Sequence, residues 1–273
     1  MNAPRKAFYL SDIPAAMRRE QWPIGAALMN RWFAARGWAM PTAVKRGRQP
    51  APPRAVDTTS VTMHWAMTVP RFAAAQRRLL ATWSHGERLG PSSGEVVAQV
   101  RRWMSIYRVA GDRAFRFGDL TRRVPVIDID CAINREVVDS AWYGAVDDFY
   151  AAFGSALVRL AVSGMVEPVT GGWRVTIDQV GTYLRDSYDF NGDQPLGSWG
   201  PDGLSRVAIL APAIEVDVRK QPALLRQGFA YFSVGNESFR RYRGVTGMGG
   251  DFMIYSDIRV QRLNQPVVVM VPR

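Results

Sequence analysis

A chain of 273 residues with 47% apolar and 22% charged positions has room for one large domain or two small ones, and it is too apolar to stay unfolded. One cysteine, Cys131, excludes an internal disulfide and a cysteine-based zinc site, while two histidines, His64 and His85, argue against a multi-histidine metal centre or a Ser-His-Asp triad. The formal charge of +11 lies in the first half: residues 1–56 hold 10 Lys/Arg against 2 Asp/Glu, residues 57–130 hold 11 against 7, and residues 131–273 hold 14 against 15. Such a basic arm suits an anionic membrane surface, an acidic protein or nucleic acid, although a solvated face in an arginine-rich composition would carry the same charge. The longest weakly charged apolar stretch, 151–166, is interrupted by Arg159 and falls short of the roughly 20 residues that a spanning helix needs. Residues 1–10 lack the apolar run and small-residue cleavage site of a Sec signal, so synthesis in the cytoplasm without a signal peptide is expected.

In chain order, Asp12 fits an N-cap and Pro14 a first helical turn. They open a helix or helical hairpin to Trp38, with Met17, Trp22, Ala26, Met29 and Trp32–Phe33 at helical spacing and Pro23 breaking the run. That stretch is either a helix packed on the main core or a docking element for a delivery partner. Pro41 to Val56, with four prolines and four cations, reads as an extended linker. The alternation of Val61, Met63, Trp65, Met67 and Val69 predicts a strand, with His64 on the opposite phase. Helices are predicted over 71–83 and 94–109, with a turn at Gly90–Gly94 between them and His85 at the first helix's exit. Val124–Ile133 reads as a strand that places Asp128 and Asp130 on one face, as a solvent face or a cation site. A helix is predicted over 134–165, carrying the stripe Trp142, Val146, Phe149, Phe153 and Leu157 and stopping at Gly164. Beyond Gly171 the texture is short strands: 173–177, 180–184, 207–210, 214–218, 229–234, 252–258 and 267–271. The expected class is α+β, a helical N-terminal half and a C-terminal curved antiparallel sheet or partial barrel. Residues 1–56 form a basic arm and Pro-rich linker in this reading, 57–133 a mixed segment and 134–273 a β-rich activity domain.

Two polar clusters could carry chemistry. Arg185-Asp186-Ser187-Tyr188-Asp189-Phe190-Asn191 would project carboxylates and a phenol from a strand end closed by an Asn191–Gly192 turn. Paired carboxylates can hold Mg²⁺ against a phosphate, or one can activate water. Asn236 to Gly244 brings Arg240, Arg241 and Arg243, whose guanidinium forks suit phosphate oxygens. A salt-bridged sheet surface would use the same residues.

The stretch from Trp173 to Asn191 resembles the activity domain of colicin M-type bacteriocins, whose signature is Asp-x-Tyr-Asp followed after five residues by His-Arg. Asp186, Tyr188 and Asp189 match its first three positions, and Tyr188–Asn191 reproduces a common Tyr-Asp-Phe-Asn context. The apolar run 152–164 falls where that family has a helix, and 249–260 with 267–271 resemble its closing strands. The His-Arg pair is replaced by Pro195-Leu196, unless Arg240-Arg241 is its displaced counterpart after an insertion. A guanidinium cannot act as general base, so water activation would pass to a carboxylate. The resemblance implies Mg²⁺-assisted cleavage on the lipid side of the lipid II pyrophosphate. It makes Asp186, Tyr188, Asp189, Arg240 and Arg241 the candidate catalytic set, Asp186 and Asp189 the metal ligands, and Arg185, Asn191 and Arg243 substrate contacts.

Ile13–Met17, Met29–Phe33, Asp186–Phe190, Leu196–Trp199 and Gly249–Phe252 together resemble an uncharacterised proteobacterial family encoded beside type VI secretion spike and adaptor genes. That implies an injected antibacterial effector acting in the target periplasm, with a spike or adaptor protein, an immunity protein and lipid II or its membrane as partners. The alternative is a non-enzymatic secretion accessory or a catalytically inactive lipid- or protein-binding relative. Nucleic acid is not an expected partner, because no groove-reading or nuclease motif accompanies the arginines.

Overall fold

The computed structural model describes residues 8–83, 89–109, 112–139, 146–205, 224–226 and 229–273. Its helices are α1 (Ile13–Arg19), α2 (Pro23–Ala34), α3 (Thr42–Lys45), α4 (Met63–Thr68), α5 (Pro70–Thr82), α6 (Leu89–Tyr107), α7 (Val124–Asp130), α8 (Asp148–Phe153) and α9 (Asn236–Thr246). Its strands are β1 (Val56–Asp57), β2 (Phe115–Phe117), β3 (Ala132–Asp139), β4 (Ser155–Val169), β5 (Gly172–Tyr188) and β6 (Pro195–Gly200). They continue with β7 (Gly203–Leu204), β8 (Leu224–Arg226), β9 (Phe229–Gly235), β10 (Phe252–Tyr255) and β11 (Arg259–Pro272). Helices dominate the first half and antiparallel pairing the second, which is the expected α+β class.

The chain forms two compact units, neither contiguous in sequence. The first gathers 1–56, 140–154 and 187–253; the second gathers 57–139, 155–186 and 254–273. In the first unit Trp32, Ile13, Ala26 and Leu28 are wholly buried, so the basic N-terminal stretch supplies core. Pro23 separates α1 from α2, as its missing N–H requires. The N-terminus of α2 is held by Asp148, whose two carboxylate oxygens accept the Ile24 and Gly25 N–H groups at 3.1 and 2.8 Å. The stretch 41–56 is also anchored, with Val44 and Ala55 buried. A small antiparallel sheet in the order β7-β6-β9-β8 completes this unit.

In the second unit β4 and β5 pair antiparallel from Leu157↔Arg185 to Val169↔Gly172. β2 and β3 share the far edge of β4, and β11 lies along β5 from Arg259↔Thr182 to Pro272↔Gly172. One face buries Val166, Val175, Ile177, Val269 and Val271. The opposite face carries the ion pairs Arg174–Glu167 at 2.9 Å and Arg116–Asp178 at 2.6 Å. That division follows from the two-residue period of a strand.

Several sequence expectations are corrected. Residues 61–69 are not a strand. The Thr62 hydroxyl accepts from the Trp65 N–H and starts α4, which buries Met63 and Ala66 one turn apart. Pro125 seats in the first turn of α7, so 124–130 is helical and only Ala132 onward extends. The helix predicted over 134–165 is β3, α8 and β4, because β4 is buried on both faces near its middle and its apolar run mimics a helical stripe. Gly164 stops nothing: it sits in β4 where the register with β5 shifts, and a Cβ there would lie 2.3 Å from the Thr176 carbonyl oxygen. The strands predicted at 173–177 and 180–184 are one strand, β5, and the Gly90–Gly94 turn is part of α6. His64 is exposed on α4. His85, Trp142 and the strands predicted at 207–210 and 214–218 lie outside the described residues.

Candidate functional site

The segment after β5 is organised by alternation. Tyr188 and Phe190 turn into the first unit's core, where Tyr188 stacks on Phe252 at 5.2 Å and Phe190 on the Phe239 ring of α9 at 3.8 Å. Trp32 meets both Phe190 and Phe239 edge-on at 4.9 and 5.3 Å, so helices α2 and α9 clamp the segment. Burial pushes the Tyr188 phenol well above its ordinary value, which keeps it neutral.

Asp189, between these aromatics, points the other way. Its side chain is only 3% exposed, and the Lys45 ammonium sits 2.8 Å from Oδ2. The Asn191 side-chain amide donates to Oδ1 at 2.8 Å. The Asn191 carbonyl in turn accepts from Asn236 Nδ2 at 2.6 Å, and Arg240 donates to the Phe190 carbonyl at 3.0 Å and to that of Gly192. The same guanidinium reaches Asp193 at 3.0 Å. Asp189, Asn191 and Arg240 are therefore brought together, whereas Tyr188 is packed among the core aromatics on the other side. Arg241 is not part of this group: it faces solvent and pairs with Glu237, one turn away, at 3.4 Å.

Arg243 turns to a second buried carboxylate, Asp251, and lies over the Trp32 ring at 5.3 Å. Asp251 also accepts from Trp32 Nε1 at 3.0 Å and from the Met40 N–H at 2.9 Å. Burial raises its pKa from the ordinary value, the Trp32, Met40 and Arg243 contacts oppose the rise, and the Asp189 charge adds to it. No sequence motif marks Lys45 or Asp251. Lys45 lies in a proline-rich stretch, and its one signal is that the chain has only three lysines.

The boundary between the units falls between Asp186 and Ser187, so Arg185 and Asp186 belong to the second. Asp186 is half-buried on β5. Arg185 reaches Asp128 at 3.1 Å, within a buried network centred on that carboxylate. Asp128 also receives Arg159 at 3.0 Å and the hydroxyls of Tyr183 at 2.5 Å and Tyr255 at 3.4 Å. Desolvation, followed by the Asp128 charge, raises both phenols, Tyr255 to about 12. Burial works against the Arg159 charge, yet Tyr183 and Asp128 hold its pKa above the usual value. Asp130 leaves α7 in another direction, accepting from Tyr107 at 2.6 Å and Arg122 at 3.0 Å. Neither aspartate is a solvent-facing strand residue, because α7 is a helix.

Among the described residues no group of three or more His, Cys, Asp or Glu side chains has the arrangement of a metal site. Asp189 is neutralised by an ammonium where a divalent ion would bind, so the residues as arranged do not fit a resident Mg²⁺. Among the same residues no helix is long and apolar enough to cross a membrane.

This arrangement is an α+β scaffold with a buried, ion-paired polar segment between two helices. The chain matches the family of unknown function DUF6402 over residues 8–271 and belongs to that family. No curated protein and no solved structure matches it.

Proposed function

We propose that the protein is an antibacterial effector delivered by a type VI-type system, and that it hydrolyses the polyprenyl-pyrophosphate linkage of lipid II. The observation that carries this reading is the seat of Arg240 against the Phe190 and Gly192 carbonyls, directly after Asp189. It favours α9 as the displaced second half of the colicin M-like signature. Asp186 is then the carboxylate that takes a proton from water as the water adds to the phosphorus bearing the polyprenyl oxygen. The bond from phosphorus to that oxygen breaks as Asp186 passes its proton to the leaving oxygen, so the polyprenol leaves as the neutral alcohol and the carboxylate is restored. Within the first unit the Arg240 guanidinium is spent on the Phe190 and Gly192 carbonyls and on Asp193, and it serves as a phosphate clamp only where substrate displaces them.

The Lys45–Asp189 pair favours a second reading, a catalytically inactive relative that keeps the fold and binds a lipid or protein. Expression tests separate the two. Under the hydrolase reading, periplasm-directed protein is toxic, cytoplasmic protein is not, and Asp186→Ala removes the toxicity. Arg240→His, which restores the family residue, raises or creates activity. Equal growth with all these variants in the periplasm supports the inactive relative.

A further inference from the structure

We infer that β11 is a docking edge for an extended, acidic segment of a partner protein, added as a further antiparallel strand. β11 pairs with β5 along one side, and among the described residues no strand pairs with its other side. The direction of its backbone groups follows from one bond. Arg273 donates its N–H to the Gly171 carbonyl, so the backbone groups of Val271, Val269 and Val267 face β5 while those of Val268 and Met270 face outward. The outward carbonyl of Pro272 is taken by the Arg101 guanidinium of α6. Pro266 and Pro272 carry no N–H, so pairing is confined to the window between them, as prolines do at sheet edges.

The side chains of this window fit a partner strand. Val268 and Met270 are 55% and 56% exposed, whereas Val269 and Val271 are buried. Charge decides which partner. From Ile258 to Arg273 the sequence holds Arg259, Arg262 and Arg273 and no carboxylate, and Arg101 and Arg102 are exposed on α6. A second copy of β11 would bring like charges together, so a peptide alternating apolar and acidic residues is the complementary occupant. This inference does not depend on the hydrolase reading.

The test is fluorescence anisotropy of the full chain with a labelled nine-residue peptide alternating Val and Glu, against the same peptide with Lys for Glu. Hydrogen exchange at 267–271 is read in parallel. Saturable binding of the acidic peptide, at least about tenfold weaker binding of the lysine peptide and slowed exchange of the Val268 and Met270 amides are expected. Met270→Pro removes one outward N–H and no inward one, and weakens binding by about tenfold or more. Should that variant misfold, Arg259→Glu with Arg262→Glu provides the second arm and reverses the charge preference. Equal binding of both peptides, unchanged exchange, or concentration-dependent dimerisation that protects the same amides would overturn the proposal.

Discussion

Asp251→Ala is expected to be the most damaging single substitution in the first unit. The carboxylate is fully buried and holds three donors: Trp32 Nε1, the Met40 N–H and the Arg243 guanidinium. Arg243 is itself 15% exposed, so deleting Asp251 strands a cation away from water. Breaking a buried pair by removing one partner costs about 3–5 kcal/mol, and two orphaned donors push toward the upper end. Against a total stability of about 5–15 kcal/mol, that is enough to unfold much of the protein at room temperature. The assay is urea unfolding followed by tryptophan fluorescence. Asp251→Ala with Arg243→Met removes the stranded charge and should lose less than the sum of the single variants, by at least about 1 kcal/mol. A loss below about 1 kcal/mol for Asp251→Ala, or strict additivity, would refute the pairing argument.

Other outcomes follow from the same contacts. Gly249 has φ +99°, and a Cβ there would lie 2.3 Å from the Trp32 ring, so Gly249→Ala should destabilise by about 1–3 kcal/mol in the same assay. Cys131 is buried and its thiol is pushed up to about 12, by desolvation first and nearby aspartates second. It should resist a thiol reagent at neutral pH in the native protein and react fully in denaturant; rapid native reaction would contradict its burial. The Arg116 hydrogen bond lowers the Asp178 pKa, so this pair stabilises above the unfolded carboxylate value and loses its contribution as pH falls through the lowered folded value. Both side chains are about two-fifths exposed, so the difference between wild type and Asp178→Asn should stay below about 1 kcal/mol at neutral pH and vanish in acid.

The sequence made the helices α2, α5 and α6 legible, because their apolar spacing and prolines agree. It misassigned α4 and β4, where local capping and two-sided burial overrode the pattern. The candidate segment 185–191 was visible as a cluster, and its placement at the end of a strand follows from the alternation of β5. Its partners were not visible. Lys45 lies 144 positions from Asp189, and Asp128 lies 57 positions from Arg185, distances that only strand pairing and helix packing close.

The measurement closest to the central claim is polyprenol release from purified lipid II in detergent with magnesium in the buffer. The hydrolase reading predicts release by the wild-type protein and none by Asp186→Ala at matched folding. No release by wild-type protein that is folded and binds the same micelles would contradict it.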